Sequence, residues 1–185
     1  MKKLSACILF LAMLLCLTAC GQATETLTLT GITGLWFTEE MPGDSGSEID
    51  PDVLRVGRTY DGRDIFALVR VPLPEEIWAI EAWLSLKPLE SNGAQALLAG
   101  TLSGPWEEDI TCGQARALAG ELLPARQALT RDGRVRIDIT GHVRAWLGGE
   151  ANYGLALFEA NDSTETVFFA GEGEDEPRLE IIIQK

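Results

Sequence analysis

The sequence contains few histidines and few cysteines, the residues most often found in metal sites and disulfides. Its 185 residues include four cysteines and a single histidine, His142. One histidine cannot supply the paired imidazoles of many metal sites, and no Ser or Asp partner accompanies it at an informative spacing. Gly-rich phosphate-binding loops are also missing. The sequence therefore gives no support for catalysis or for a bound cofactor, and we expect His142 to be a surface residue rather than a general base.

Three of the four cysteines lie in the first 20 residues. Lys2 and Lys3 precede an apolar run at residues 8–17. This pattern is typical of a secretory signal, and the run is too short for a bilayer, which needs about 20 apolar residues. The sequence LTAC at 17–20 matches the lipobox of bacterial lipoproteins. We therefore predict a lipoprotein signal peptide at residues 1–19, lipidation of Cys20, and a short tether over 20–25; a soluble secreted protein is the alternative.

Positive charge is also scarce. Without residues 1–19 the chain keeps 13 Lys and Arg against 28 Asp and Glu, a net charge of −15. Nucleic-acid binding depends on basic residues that neutralise phosphates, so this charge disfavours it as a function. Anionic headgroups do not attract such a chain, so the lipid must hold it on the membrane. We expect an extracytoplasmic protein that is anchored to the bacterial cell membrane.

Cys112 is the one cysteine left after processing. An intramolecular disulfide is therefore excluded in spite of the oxidising compartment. We expect Cys112 to be a small buried apolar residue rather than a nucleophile, because His142 lies 30 residues away in an unrelated segment.

Helix patterns are few, and strand patterns dominate from about residue 26 to residue 185. Short apolar alternations are separated by turn residues such as Asp61-Gly62 and Asp132-Gly133. Helix-like segments occur at 114–123, which Gly120 interrupts, and at 142–147, after Thr140 as the cap. The pattern predicts one all-β domain, an antiparallel β-sandwich of about nine strands with at most one or two short helices. The predicted strands cover residues 27–29, 53–56, 65–71, 80–86, 97–102, 135–139, 154–159, 166–170 and 179–183.

Several segments together resemble the DNRLRE domain family. In the first half these are LRVG at 54–57, ALVRVPLP at 67–74 and IEAWLSL at 80–86. The second half contributes IDITGHVRAW at 137–146, GEANYGLAL at 149–157, FFA at 168–170 and PRL at 177–179. The segment WEEDITC at 106–112 departs from the family pattern, since it ends in Cys where an aromatic residue is usual.

The resemblance covers nearly the whole chain after the signal peptide. It implies a jelly-roll-like β-sandwich over residues 26–185, related to carbohydrate-binding modules and found on bacterial surface proteins. Some members bind acidic polysaccharide, whereas the net charge of −15 disfavours an acidic glycan here. The resemblance does not imply catalysis.

Aromatic residues are the candidate ligand contacts, because sugar-binding surfaces stack rings on pyranose faces and add a few polar side chains. By strand parity, Trp83 lies on the face opposite Ala82, Leu84 and Leu86, where it is either exposed or covered by a loop or by the 114–123 segment. Burial as loop anchors is favoured over ligand stacking for Trp36 and Trp78. The candidate ligand residues are Trp36, Trp78, Trp83, Trp106, Asn152 and Tyr153, with Asn152 and Tyr153 expected mainly to form a turn that braces its neighbouring loop.

Two acidic clusters are candidates for a structural calcium ion, because calcium takes carboxylate and carbonyl oxygens. One comprises Asp44, Glu48, Asp50 and Asp52, and the other Glu172, Glu174, Asp175 and Glu176. Neither has the spacing of an EF-hand, and solvated acidic loops are the alternative that we favour.

The sequence thus predicts a non-catalytic, lipid-anchored module that binds a glycan or another component of the cell envelope. An envelope structural or assembly protein with a protein partner is the alternative. A hydrolase that uses a pair of carboxylates is a remote third hypothesis.

Overall fold

The computed structural model describes residues 23–39, 52–74, 77–90, 96–160 and 165–184. Within them the predicted all-β antiparallel sandwich is confirmed. The first six strands are β1 (Thr24–Leu29), β2 (Thr33–Thr38), β3 (Val53–Arg58), β4 (Asp64–Arg70), β5 (Ala79–Glu90) and β6 (Leu97–Thr101). The remaining six are β7 (Leu123–Pro124), β8 (Gln127–Leu129), β9 (Val135–Asp138), β10 (Leu155–Glu159), β11 (Thr166–Phe169) and β12 (Arg178–Gln184). Two short helices are α1 (Cys112–Leu118) and α2 (Thr140–Leu147).

The strands form one antiparallel sheet that curls into two facing layers. We call them the β5 layer (β1, β12, β5, β9 and β8) and the β4 layer (β2, β4, β10, β6 and β7). They are joined through β11, which pairs with β5 and β3, and through β3, which pairs with β4. Among the described residues, the helices are too short or too polar to span a membrane.

The main core lies between the two layers. Ala82, Leu84 and Leu86 of β5 face it, as their alternation predicts, and they meet Ala67 and Val69 of β4. Helix α2 closes this core with Val143 and Trp146, which are both buried. The burial of this apolar surface is the main favourable contribution to folding.

A second core covers the outer face of the β4 layer. Phe66 of β4 is fully buried there and stacks between Phe37 and Phe158, with ring centroids 5.3 and 4.7 Å away. Helix α1 packs over these rings through Ala115, and its Arg116 guanidinium lies 4.3 Å from the centre of the Phe158 ring. Both faces of β4 are therefore buried, which explains why the apolar run at 65–71 is almost continuous.

The nine predicted strands are all present, and β2, β7 and β8 are additional. The predicted helix at 114–123 begins earlier, at Cys112, and ends at Leu118, because Ala119 forms a bridge to Leu102, just after β6, and the chain then enters β7. Thr140 is the first residue of α2 rather than its cap, which is Ile139. The Thr140 hydroxyl instead donates to Asp138 (2.6 Å) and accepts from the backbone N–H of Ala82 (2.9 Å), and so fastens α2 to β5.

Candidate functional site

An open cleft of about 420 Å³ lies where β4 ends and β2 begins. Thr33 and Arg70 are paired across these two strands, and the segment that precedes β10 forms the adjacent wall. We call it the Arg70 cleft; its lining comprises Gly31, Thr33, Arg70, Val71, Pro72, Pro105, Trp106, Glu107, Asn152, Tyr153 and Gly154. Three of the six candidate ligand residues, Trp106, Asn152 and Tyr153, therefore come together here.

Asn152 and Gly154 fix the shape of one wall. The Asn152 amide donates to the carbonyl oxygen of Val71 (2.8 Å), and its oxygen accepts from the N–H of Gly154 (3.0 Å). Gly154 has a φ of +101°, and a Cβ there would lie 2.3 Å from the carbonyl oxygen of Val69. This position therefore requires glycine. The predicted role of Asn152, a turn that braces the neighbouring loop, is what these bonds provide.

Trp106 connects the two walls of the cleft. Its ring is 6% exposed, and its indole N–H donates to the carbonyl oxygen of Tyr153 (3.0 Å). The Arg70 guanidinium lies 4.4 Å from the ring centre and donates to the carbonyl oxygen of Trp106. Trp106 is thus a structural member of the cleft, and its ring face is occupied by Arg70.

The accessible groups of the cleft are one aromatic ring and two charges of opposite sign. Tyr153 is 36% exposed. An Arg70 Nη atom lies 3.6 Å from a carboxylate oxygen of Glu107, and both side chains remain accessible to solvent. A ligand at this position would therefore meet an apolar surface beside a donor and an acceptor, which is a common composition for small-molecule sites.

Trp83 lies on the outer face of the β5 layer, as its parity predicts, and it is covered. Two guanidinium groups lie against its ring, Arg126 at 4.6 Å and Arg136 at 4.7 Å from the ring centre, and the residue is 6% exposed. Its indole N–H donates to Glu81 (3.1 Å). The cover is thus a pair of arginines rather than a loop or the 114–123 segment, and a ligand would have to displace one of them to reach the ring.

Ion pairs hold both arginines over Trp83. Arg136 binds Glu180 and Arg126 binds Asp138, each at 2.9 Å. Burial acts to raise the pKa of the Asp138 carboxyl, but hydrogen bonds from Thr140 and Arg126 outweigh it, so the pKa lies below its usual value. Asp138 therefore stays ionised and keeps Arg126 in place.

The two remaining tryptophans have opposite environments. Trp36 was expected in a loop, but it lies in β2 with its ring in the main core, 8% exposed, and with Arg55 4.8 Å from the ring centre. Trp78 was expected to be a buried loop anchor; this expectation is wrong, because its side chain is 76% exposed just before β5. Trp78 is thus the most accessible indole of the five.

The first candidate calcium cluster lies largely outside the described residues, as does Cys20. Asp44, Glu48 and Asp50 belong to the part of the chain that is not described, and Asp52 is an exposed residue just before β3. Over the described ranges, no three side chains of His, Cys, Asp or Glu gather as a metal site.

The second cluster surrounds a buried arginine instead. Arg134 is 3% exposed and donates to the carbonyl oxygens of Ser85 (3.2 Å), Glu174 (3.2 Å) and Glu176 (2.9 Å). Burial lowers the pKa of its guanidinium from the ordinary value. Because a cationic side chain already takes the loop carbonyls, this loop does not fit a calcium ion.

His142 and Cys112 lie away from the Arg70 cleft lining. His142 is half-buried on α2, beside Trp146 at a centroid distance of 6.2 Å, and burial lowers its pKa although Asp138 acts to raise it. Cys112 is partly buried against the second core, and its thiol donates to the carbonyl oxygen of Thr38 (3.4 Å).

Arg70 and Glu107 are the site residues that sequence reasoning missed. Arg70 interrupts an apolar run just before Val71 and Pro72. Because a buried unpaired charge is costly, an arginine at the end of a buried strand indicates that this end of the strand reaches a polar surface. Glu107 follows directly after Trp106, in the segment that departs from the family pattern. No family model and no curated protein matches this chain, so the resemblance to the DNRLRE family stays a prediction.

Proposed function

We propose that this chain is a non-catalytic, lipid-anchored binding module outside the cytoplasm, and that the Arg70 cleft holds a glycan or another envelope component. The observation that carries the proposal is the meeting of Trp106, Asn152 and Tyr153 in one cleft. Trp106 and Tyr153 are 47 residues apart in the chain and are joined by a hydrogen bond. A cleft that is fixed by such long-range bonds is preorganised for a ligand.

The composition of the cleft favours a neutral glycan. Its volume of about 420 Å³ lies within the common range of ligand sites, about 300–1,000 Å³. The Tyr153 ring provides an apolar surface for a pyranose, and Thr33, Arg70 and Glu107 provide hydrogen-bonding groups beside it. The opposite charges of Arg70 and Glu107 balance, and the net charge of −15 repels acidic polymers.

The same lining supports binding more than hydrolysis. A glycosidase uses two carboxyl groups about 5–10 Å apart. Among the described residues that line the cleft, Glu107 is the one carboxylate, and it is paired with Arg70.

The test is the binding of the chain from Gly21 to Lys185 to an array of neutral and acidic polysaccharides, with and without Ca²⁺. We expect binding to a neutral glycan, without a requirement for Ca²⁺. Tyr153→Ala should weaken it about tenfold, because a ring contact contributes about 0.5–1.5 kcal/mol beyond the area that it buries.

Tyr60→Ala is the matched control. Tyr60 is fully exposed in the turn between β3 and β4, and the length of β4, about 20 Å, separates that turn from Arg70. Folded protein that binds no glycan, or equal losses in the two variants, would contradict the proposal.

An envelope protein as partner is the second candidate function. Leu129 of β8 is 75% exposed, and within the described residues β8 pairs with β9 alone. Exposed apolar side chains on a strand with an open edge favour association with another chain. If no glycan binds, Leu129→Asp should abolish crosslinking of the chain to its partner in intact cells, whereas Tyr153→Ala should leave it unchanged.

A further inference from the structure

Trp78 is exposed at the end of the β5 layer from which the N-terminal segment leaves. Its side chain is 76% exposed, whereas each of the other four tryptophans is 8% exposed or less. Ala79, the next residue, is paired with Ile183 of β12, and the adjacent Gln184 is paired with Thr24 of β1. Trp78, Gln184 and Thr24 therefore lie at the same end of three neighbouring strands.

Strand spacing and chain length place this end close to the predicted lipid. Neighbouring strands are about 4.8 Å apart, so Trp78 and Thr24 are separated by about 10 Å across the sheet. Four residues lead from Cys20 to Thr24, and they span at most about 14 Å. A lipid on Cys20 therefore keeps Thr24 within about 14 Å of the bilayer surface and Trp78 within about 24 Å of it.

We infer that Trp78 inserts into the headgroup region of the membrane and forms a second contact beside the lipid. This inference rests on the lipid anchorage proposed above. An indole is favoured at this depth because its ring is apolar and its N–H can bond to water or to headgroups. The tether raises the effective concentration of the ring at the membrane surface. A single indole therefore suffices for this second contact, although one indole would not hold an untethered protein on the membrane.

Arg144 of α2 supports the contact with a positive charge. Its guanidinium donates to the carbonyl oxygens of Ala79 (3.0 Å) and Ile80, directly after Trp78, and the side chain is exposed. It therefore lies where headgroup phosphates would meet it, in a chain that is otherwise strongly acidic.

The contact also directs the Arg70 cleft away from the bilayer. Strand β1 runs about 17 Å from Thr24 to Leu29, and Gly31 lines the cleft two residues later. Docking of Trp78 therefore places the cleft toward the side from which an extracellular ligand arrives.

The experiment uses the full chain, produced with its lipid and reconstituted into phosphatidylcholine vesicles. Flotation measures anchorage, and vesicles with brominated acyl chains report on insertion, because bromine quenches nearby indoles. We expect the wild type to float and to lose the share of its tryptophan emission that comes from Trp78, one indole in five. Trp78→Phe should float equally and lose this quenching, and Leu129→Ala, which alters another exposed apolar residue, should retain it.

The outcomes separate the two proposals. A wild-type chain that does not float would overturn the lipid anchorage and this inference together. A chain that floats but is not quenched by bromine, or a Trp78→Phe variant that is quenched as strongly as the wild type, would overturn the insertion of Trp78 and leave the anchorage standing.

Discussion

Arg134→Met would remove the guanidinium that holds the 174–176 loop against β5. The methionine side chain fills most of the same volume, so the loss is mainly that of the hydrogen bonds to Ser85, Glu174 and Glu176. Ser85 is fully buried, so water cannot replace the donor that its carbonyl oxygen loses in the variant.

The magnitude follows from these three bonds. A hydrogen bond from a charged group contributes about 1.5–3 kcal/mol, which gives a gross value of about 4.5–9 kcal/mol. The desolvation of the guanidinium offsets part of this value, and water can reach the exposed Glu174 loop in the variant. We therefore expect the free energy of unfolding to fall by about 3 kcal/mol, which for a chain of this size lowers Tm by about 6–12 °C.

Urea unfolding, followed by tryptophan fluorescence, measures this loss. Arg131→Met is the matched control, because Arg131 is exposed in the same turn and should cost less than about 0.5 kcal/mol. Wild-type stability should be the same in EDTA and in Ca²⁺ if Arg134 serves this loop as its cation. A cost for Arg134→Met that equals that of Arg131→Met would refute the assignment.

Three further predictions concern the cleft wall, α2 and the second core. Gly154→Ala should lower the free energy of unfolding in urea by about 2–3 kcal/mol and abolish ligand binding. Gly149→Ala is the control, because Gly149 has a φ of +104° but open space around it, and it should cost about 1 kcal/mol. Equal costs would exclude the clash with Val69. Because burial lowers the folded-state pKa of His142, its neutral form is favoured in the fold, and stability should fall as the pH drops from about 6.5 toward that lowered value. His142→Gln should remove this fall in the free energy of unfolding between pH 7.5 and 5.5. A variant whose stability falls with pH as much as that of the wild type, or more, would disprove the assignment. Phe66→Ala should lower the free energy of unfolding by about 3–5 kcal/mol, and a loss below 1 kcal/mol would contradict the buried stack with Phe158.

Strands with alternating or bounded apolar runs were predictable from the sequence, and β2 was not. Leu35, Trp36 and Phe37 are consecutive apolar residues because both faces of the β4 layer are buried, so the period of two that marks a strand is missing. Gly34 of β2 is required by packing: a Cβ there would lie 2.6 Å from the carbonyl oxygen of Leu68.

The start of α1 is marked in the sequence by a capping-box pattern that the prediction of a helix at 114–123 did not include. Thr111 and Gln114 form a capping box, in which the Thr111 hydroxyl accepts from the N–H of Gln114 and the Gln114 side chain accepts from the N–H of Thr111. The spacing of a threonine and a glutamine three residues later predicts a helix that begins at Cys112.

The candidate site was predictable in part. Parity placed Trp83 on the correct face, but its cover depends on Arg126, which is distant in the sequence and reaches the ring only in the folded sheet. Trp106, Asn152 and Tyr153 are each suggested by the chemistry of their own side chains, which says nothing about their proximity. Their common cleft depends on bonds such as that between Arg70 and the Trp106 carbonyl, 36 residues apart, which no local pattern encodes.

The burial of both faces of β4 affects which backbone amides exchange their hydrogens with solvent. Its backbone is paired with β2, β3 and β10, and both of its faces are packed, so we expect its amide hydrogens to exchange with solvent only when the whole chain unfolds. The short β8 has one paired edge in the described part of the chain and should exchange by local fraying. Arg70 is the last residue of β4, so the wall of the cleft that it forms is attached to this strand. We expect a ligand at this wall to lose little affinity to the ordering of a mobile surface.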